Sequence, residues 1–299
     1  MLRAPIGLGL QIPNFNFPGV SEADLFERLS DVASTAESSG FDTVLVMDHL
    51  HQIRGVGPPE NWMLDGNTIL PALAARTSSV NLSLLVGAVT YRNPALHAKI
   101  TTTLDVISGG RAELGLGAGW KEDEFTAYGF GFPPLRERMA LLEDSLEIVT
   151  RMLGGGRATY QGSQASVQDA INVPRGLQSP RIPILVGGNG PNRTWRLAAR
   201  YADELNLDWF SPEEIVESRP VIASRCEEIG RDPATLRLSV NIGRPMSEPE
   251  GPPRVDLLRR YREAGVDRVM TLVVASASDP AALARFADDC RAAGCELDG

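Results

Sequence analysis

The chain has 299 residues, 43% of them hydrophobic, and a formal net charge of −9 at pH 7. That length suits two small domains or one α/β barrel, since barrels of about 250 residues and more fold as single units. The negative charge, with no basic tract or aromatic-basic stripe, argues against nucleic acid as a partner. No apolar run approaches the ~20 residues needed to cross a bilayer. The start "MLRAPIGLGLQIPNF" lacks the basic and long apolar regions of a signal peptide, and Cys226, Cys290 and Cys295 show no metal spacing. These features predict a reduced cytoplasmic protein, with no membrane partner, acting on a small molecule.

In chain order, strand-like runs appear at 6–12 ("IGLGLQI"), 43–48 ("TVLVMD"), 80–89 ("VNLSLLVGAV") and 111–119 ("RAELGLGAG"). Four more follow at 182–188, 203–208, 236–242 and 268–274, with helical patterns between or after them. The clearest helix carries Leu135, Met139, Leu142, Leu146, Val149 and Leu153 at alternating steps of four and three, which is one apolar face. Alternating β and α elements with apolar strands predict a parallel sheet, and eight strands predict closure into a barrel, the TIM (β/α)8 fold. A doubly wound open sheet is the rival. Residues 154–180 break the alternation with Gly, Ser, Gln and Pro, and read as an insertion after the fourth βα unit. A short hairpin is expected there, and a lid role follows from its length. No linker divides the chain, so 1–299 reads as one domain.

Chemistry in such a barrel sits at the C-terminal strand ends, here 11–17, 48–51, 87–92, 117–123, 187–193, 206–208 and 241–244. The fourth strand places Gly115, Gly117 and Gly119 at alternate positions, leaving bare backbone on one face. The dinucleotide fingerprint is excluded, because the third glycine comes one residue early and the acidic partner is missing. The run "VGGNGPNR" (186–193) turns from strand to helix, so its amides could meet a phosphate, with Arg193 as counter-charge.

Three stretches carry a resemblance: "FDTVLVMDHLHQ", the long block from "LLVGAVTYRNPALHAKI" through "GAGWKEDEFTAYGFGFPPLRERMALLEDSLEIV", and "PILVGGNGPNRTWRLAARYADELN". They resemble the bacterial luciferase-like superfamily and, within it, actinobacterial oxidoreductases that use the deazaflavin coenzyme F420. The resemblance runs from about residue 6 to residue 208 and implies a TIM barrel with a tricyclic ring in its mouth. It implies Asp48 and His49 beside that ring, and a bulge at Leu85, Val86 and Gly87 behind it, often with a cis non-prolyl peptide. Gly117, Ala118, Gly119 and Asp123 would line the ring and its ribityl chain, while Gly187, Gly188, Asn189, Gly190 and Arg193 would hold the phosphate. The glycine alternation would then clear space for a planar ring.

Where the sugar-phosphate dehydrogenases of this superfamily carry a glutamate directly after "G-x-G-x-G", this chain has Trp120. That departure points to a less polar substrate, with Trp120, Trp62 and Met63 as its walls. His49 is the candidate proton donor or acceptor, since imidazole titrates near neutrality; strand capping by Asp48 and His49 is the competing reading. "HLH" is the H-x-H pattern of metal-dependent barrel hydrolases, but His97 is the only further histidine and falls in a helix, so no metal is expected. Lys121 to Glu124 read as a helix start whose carboxylates favour the helix dipole. Arg92 reads as either an anion ligand or a surface pair.

Three functions remain open on the sequence. The favoured one is an F420-dependent oxidoreductase transferring hydride between reduced deazaflavin and a small organic substrate. The second is an FMN-dependent two-component luciferase-like monooxygenase supplied by a cofactor-reducing partner enzyme. The third is a non-catalytic deazaflavin-binding barrel. A homodimer is compatible with each.

Overall fold

The computed structural model describes residues 7–12, 14–243, 249–295 and 297. Its barrel is built from parallel strands β1 (Gly7–Ile12), β2 (Thr43–Val46), β3 (Asn81–Leu84), β4 (Gly87–Ala88) and β5 (Leu114–Gly117). It continues through β8 (Ile184–Gly187), β9 (Glu204–Asp208), β10 (Arg237–Ile242) and β11 (Arg268–Thr271). The hydrogen-bonded order is β3-β2-β1-β11-β10-β9-β8-β5-β4, and a parallel bridge between Leu82 and Ala112 joins β3 to the start of β5. β3 and β4 are two halves of one broken strand, so the expected eight-stranded TIM barrel is present and the open sheet is not. Strand residues such as Leu8, Val44, Leu205, Val240 and Val269 are fully buried, as a parallel sheet covered by helices requires.

The third strand is broken where the resemblance implied a bulge, which divides the single run read over 80–89. Residues Leu85 and Val86 lie between the two halves, and the peptide bond joining them is cis. This break also accounts for the glycine alternation. A Cβ on Gly115 would lie 2.1 Å from the Leu84 carbonyl oxygen, and one on Gly117 would lie 2.8 Å from Val86 Cγ2. Gly119 has φ +75°, in the left-handed region that glycine enters without penalty. The first two glycines therefore make room for a neighbouring strand of this chain, and the expectation of space cleared for a ligand ring is corrected to that extent.

Helices cover the outside: α1 (Leu25–Ser39), α2 (Gly66–Ala74), α3 (Pro94–Ser108), α4 (Glu122–Ala127) and α5 (Leu135–Leu153). They are followed by α6 (Thr194–Tyr201), α7 (Pro212–Glu227), α8 (Pro252–Ala264) and α9 (Ala281–Ala292). Local chemistry sets their ends. Asn93 accepts the Ala95 amide ahead of Pro94, and Ser211 with Glu214 forms a reciprocal capping box ahead of Pro212. The α5 face is as expected, with Met139, Leu142, Leu146, Val149 and Leu153 buried, except that Leu135 is 59% exposed.

The insertion holds the expected hairpin, β6 (Arg157–Gln161) antiparallel to β7 (Ser166–Ile171). It leaves the C-terminal end of α5 and is tied to the outside of the barrel by Tyr160 Oη donating to Asp144 (2.9 Å) and Asn172 Nδ2 donating to Thr102 (2.9 Å). The return segment is pinned where β5 begins, Gln178 Nε2 donating to the Ala112 carbonyl at 2.7 Å. These anchors put the insertion toward the N-terminal end of the barrel, and the lid role is corrected accordingly.

That N-terminal end is closed by charge. Arg268, 1% exposed, donates to Glu113 Oε2 at 2.8 Å and Glu204 Oε2 at 2.7 Å, and also reaches Thr43. Its guanidinium is held protonated well above its ordinary range: burial opposes the charge, and the two carboxylates outweigh it. Among the described residues no helix is long and apolar enough to cross a membrane.

Candidate active site

The strand C-termini surround a cavity of about 530 Å³, within the span of cofactor and small-ligand sites. Met47, Leu85, Val86, Leu135, Met139, Leu142 and Leu272 make much of its wall apolar. Of the residues expected at a cofactor or substrate, Asp48, His49, Leu85, Val86, Gly117, Ala118, Gly119, Trp120, Gly187 and Gly188 line it. Gly87, Asp123, Asn189, Gly190, Arg193 and Trp62 do not, and neither does Met63, which packs against the core.

Each of the first six has a local reason. A Cβ on Gly87 would lie 2.8 Å from His97 Cε1, on the helix side of the strand. Asp123 is exposed and takes a 2.7 Å bond from Lys121 Nζ. Asn189 uses both ends of its amide on Asp208, donating to its carbonyl and accepting from its N–H at 2.9 Å each. Gly190 packs on Thr194, Arg193 is exposed beside the Arg136 carbonyl, and Trp62 packs on the core with its backbone N–H on Asn16 Oδ1.

Two acidic groups have sharply different surroundings. Asp48 accepts from Arg92 Nη1 at 2.8 and 2.9 Å and from the Ala88 amide at 2.9 Å. Burial pushes its carboxyl above the usual range even against the Arg92 charge. Arg92 also bonds Asp65 at 2.6 Å, so it is a structural pair that orders this strand end.

Glu124 is the site residue that sequence reasoning missed. It sits in the α4 turn that was read as helix-start charge, yet its side chain is fully buried. Phe125 turns inward beside it and packs against Tyr91, ring centroids 4.6 Å apart, which sets the helix orientation. Glu124 then accepts from His49 Nδ1 at 2.7 Å, Tyr91 Oη at 2.8 Å, the His51 amide at 3.1 Å and the Leu50 amide. Burial works against the carboxylate, but the bonds from His49, the Leu50 amide and Tyr91 prevail and hold it at about 2. Because the carboxylate only accepts, the His49 proton belongs on Nδ1 and the lone pair on Nε2. Trp120 stands edge-on to His49 at 5.6 Å between centroids. No sequence signal distinguished Glu124 from its charged neighbours; the step from exposed Asp123 to apolar Phe125 was the only trace.

Polar groups complete the wall. Gln11 Oε1 and Asn241 Oδ1 are buried without a hydrogen-bond partner, and both residues line the cavity. Buried unpaired acceptors call for a donor, and the N–H-bearing edge of a heterocycle supplies one. At the other end, Gly187, Gly188 and Thr194 bring the cavity to the start of α6. The Gly188 amide is already given to the Asn206 carbonyl at 3.0 Å, so it is not a free anion donor. His51 faces Lys121 and Tyr128, and His97 is buried in α3.

The model of the luciferase-like monooxygenase family matches residues 7–247. The chain belongs to that family. An F420-dependent glucose-6-phosphate dehydrogenase of Microbacterium testaceum is 36% identical over 63% of this chain, which spans 54% of that relative's length. A protein of the same name from Kineococcus radiotolerans is 30% identical over 88% of this chain and 75% of its own. Among solved structures, an F420-dependent secondary alcohol dehydrogenase with an F420-acetone adduct superposes with TM-score 0.79 at 17% identity, covering 97% of this chain and 99% of that one. The long-chain alkane monooxygenase LadA gives 0.80 at 14% identity, covering 100% and 94%. These structures share the barrel.

Proposed function

We propose that this chain is a coenzyme F420-dependent oxidoreductase that moves hydride between the deazaflavin and a small organic alcohol or carbonyl compound. The observation that carries this is the His49–Glu124 pair at the wall of the cavity, supported by relatives at 30% and 36% identity that are named for F420. The donor set fits the group: an apolar wall for a planar ring, unpaired Gln11 and Asn241 acceptors for its polar edge, and the start of α6 for its phosphate. Asp48, Gly117, Ala118, Gly119, Gly187 and Gly188 are the residues we assign to holding it.

Bound deazaflavin supplies a carbon that takes or gives hydride. The protein's part is the proton. With Nδ1–H held by Glu124, His49 Nε2 accepts a proton from a substrate hydroxyl as hydride leaves, and the imidazolium returns it in the reverse direction. Glu124 stabilises that imidazolium and fixes the ring plane; Tyr91 and two backbone amides saturate the carboxylate so that it stays charged. Trp120 stands edge-on beside His49 and forms the cavity wall next to it. Three buried free cysteines suit a reducing cytoplasm.

Titrating the purified protein with F420 and FMN side by side tests this. Tighter F420 binding, with single-turnover oxidation or reduction of the bound cofactor by an alcohol–carbonyl pair, is the expected outcome. Tight FMN binding with no measurable F420 binding would make the two-component monooxygenase the better reading. F420 binding without turnover on any carbonyl would favour a carrier barrel.

A further inference from the structure

Trp209, directly after β9, combines three unusual properties. It is 55% exposed, it lines the cavity, and its backbone has φ +60°. A bulky residue in the left-handed region is strained, and such strain persists only where the surroundings dictate it. They do so here from three sides. Asn189 clamps the N–H and C=O of the preceding Asp208, the Trp209 amide donates to the Asn241 carbonyl at 2.9 Å, and the indole lies on the bare backbone of Gly243. A Cβ on Gly243 would come within 2.7 Å of Trp209 Cε2.

Burial does not reward this arrangement, because much of the ring stays in solvent. Trp120, 63% exposed, lines the same cavity from the end of β5. Two water-exposed indoles on separate strand ends of one cavity offer broad apolar faces to a flat partner. Resting on the reading of this cavity as the active site, we propose that Trp209 and Trp120 form an aromatic mouth that selects substrates carrying a flat, conjugated ring. Asn189, expected at the phosphate, is on this account a positioning residue for Trp209.

The test uses protein loaded with reduced F420, which cannot take hydride from an alcohol, and two probes of one carbon skeleton, 2-naphthol and its saturated analogue decahydro-2-naphthol, titrated by calorimetry. The parent should bind 2-naphthol at least tenfold more tightly than the puckered alcohol. Trp209→Ala should bring the ratio to within about twofold of unity while F420 affinity stays within twofold. Trp209→Phe should keep most of the preference, and Gly243→Ala, which displaces the indole without removing it, should fall between them. No preference in the parent, or an undiminished one in Trp209→Ala, overturns the proposal. Equal losses of F420 and 2-naphthol would make Trp209 a cofactor wall and overturn it as well. If Trp209→Ala does not fold, Trp209→Phe and Gly243→Ala carry the comparison. If the parent does not bind F420, the functional reading fails separately, and the probe ratio on the unloaded protein still decides the role of Trp209.

Discussion

His49 and Glu124, 75 residues apart in the chain, meet through a 2.7 Å bond between Nδ1 and Oε2. The contact couples the end of β2 to the first turn of α4 and orders the imidazole with a charge that titrates far from neutrality. Replacing that charge by an amide is the most direct test of the proton-transfer role. In Glu124→Gln the amide N–H2 can face Nδ1 and favour the opposite tautomer, with the proton on Nε2. Turnover should fall on the order of 10²-fold or more, with F420 affinity little changed and the pH profile of the hydride step displaced. His49→Gln should give a loss of similar size. A Glu124→Gln enzyme with the parent's rate and profile would assign the pair to strand capping.

The two partners were unequally legible in the sequence. His49 stood at a predicted strand end, where a barrel places chemistry, so position alone marked it. Glu124 was hidden among Lys121, Glu122 and Asp123, and only the packing of Phe125 on Tyr91 determines which carboxylate turns inward. The barrel itself was readable because parallel strands, buried on both faces, leave apolar runs at regular intervals. Arg268, Glu113 and Glu204 were not, since a charge inside a strand run carries no mark of its partners on other strands. The break at Leu85 and Val86 was equally silent locally, because both residues are good strand formers.

The buried Arg268 cluster yields a stability prediction. Arg268→Met leaves Glu113 and Glu204, which are 8% and 3% exposed, facing each other with only the half-exposed Arg237, 3.7 Å from Glu204 Oε2, as a cation. Removing one partner of a buried ion group costs about 3–5 kcal/mol. Urea unfolding should show a lower midpoint by that measure, and any folded fraction should bind F420 normally, because the cluster lies at the end of the barrel opposite the cavity. A stability change under about 1 kcal/mol would mean that the two carboxylates take up protons and adapt.

His97 sets an acid limit. Burial lowers its pKa from 6.5 to about 4, so the folded state favours the neutral ring. The sign follows from linkage: the unfolded chain binds this proton more readily, so the contribution is intact above pH 6.5 and is lost as pH falls toward 4. The full span corresponds to about 3 kcal/mol. Melting temperatures measured from pH 7 to 4 should decline in the parent and decline less steeply in His97→Asn, whatever the variant's absolute stability. Parallel slopes would place the acid-labile group elsewhere.

Gly188 tests the phosphate end. Its φ of +137° is open to glycine and unfavourable for any other residue, and a Cβ there would lie 3.2 Å from Thr194 Cγ2. Its N–H is already bonded to Asn206, so a phosphate approaching here would use the uncovered Cα surface and the Thr194 hydroxyl. Gly188→Val should therefore weaken F420 binding by about tenfold or more, roughly 1.4 kcal/mol. Thr194→Val, which keeps the shape and removes the hydroxyl, should reproduce part of that loss without the backbone strain. The deazaflavin nucleoside that lacks the phosphate separates the causes, because its affinity should be nearly the same in the parent and in Thr194→Val. Equal loss of both ligands in Thr194→Val would move the phosphate away from the start of α6 and leave Gly187 and Gly188 as walls for the ring alone.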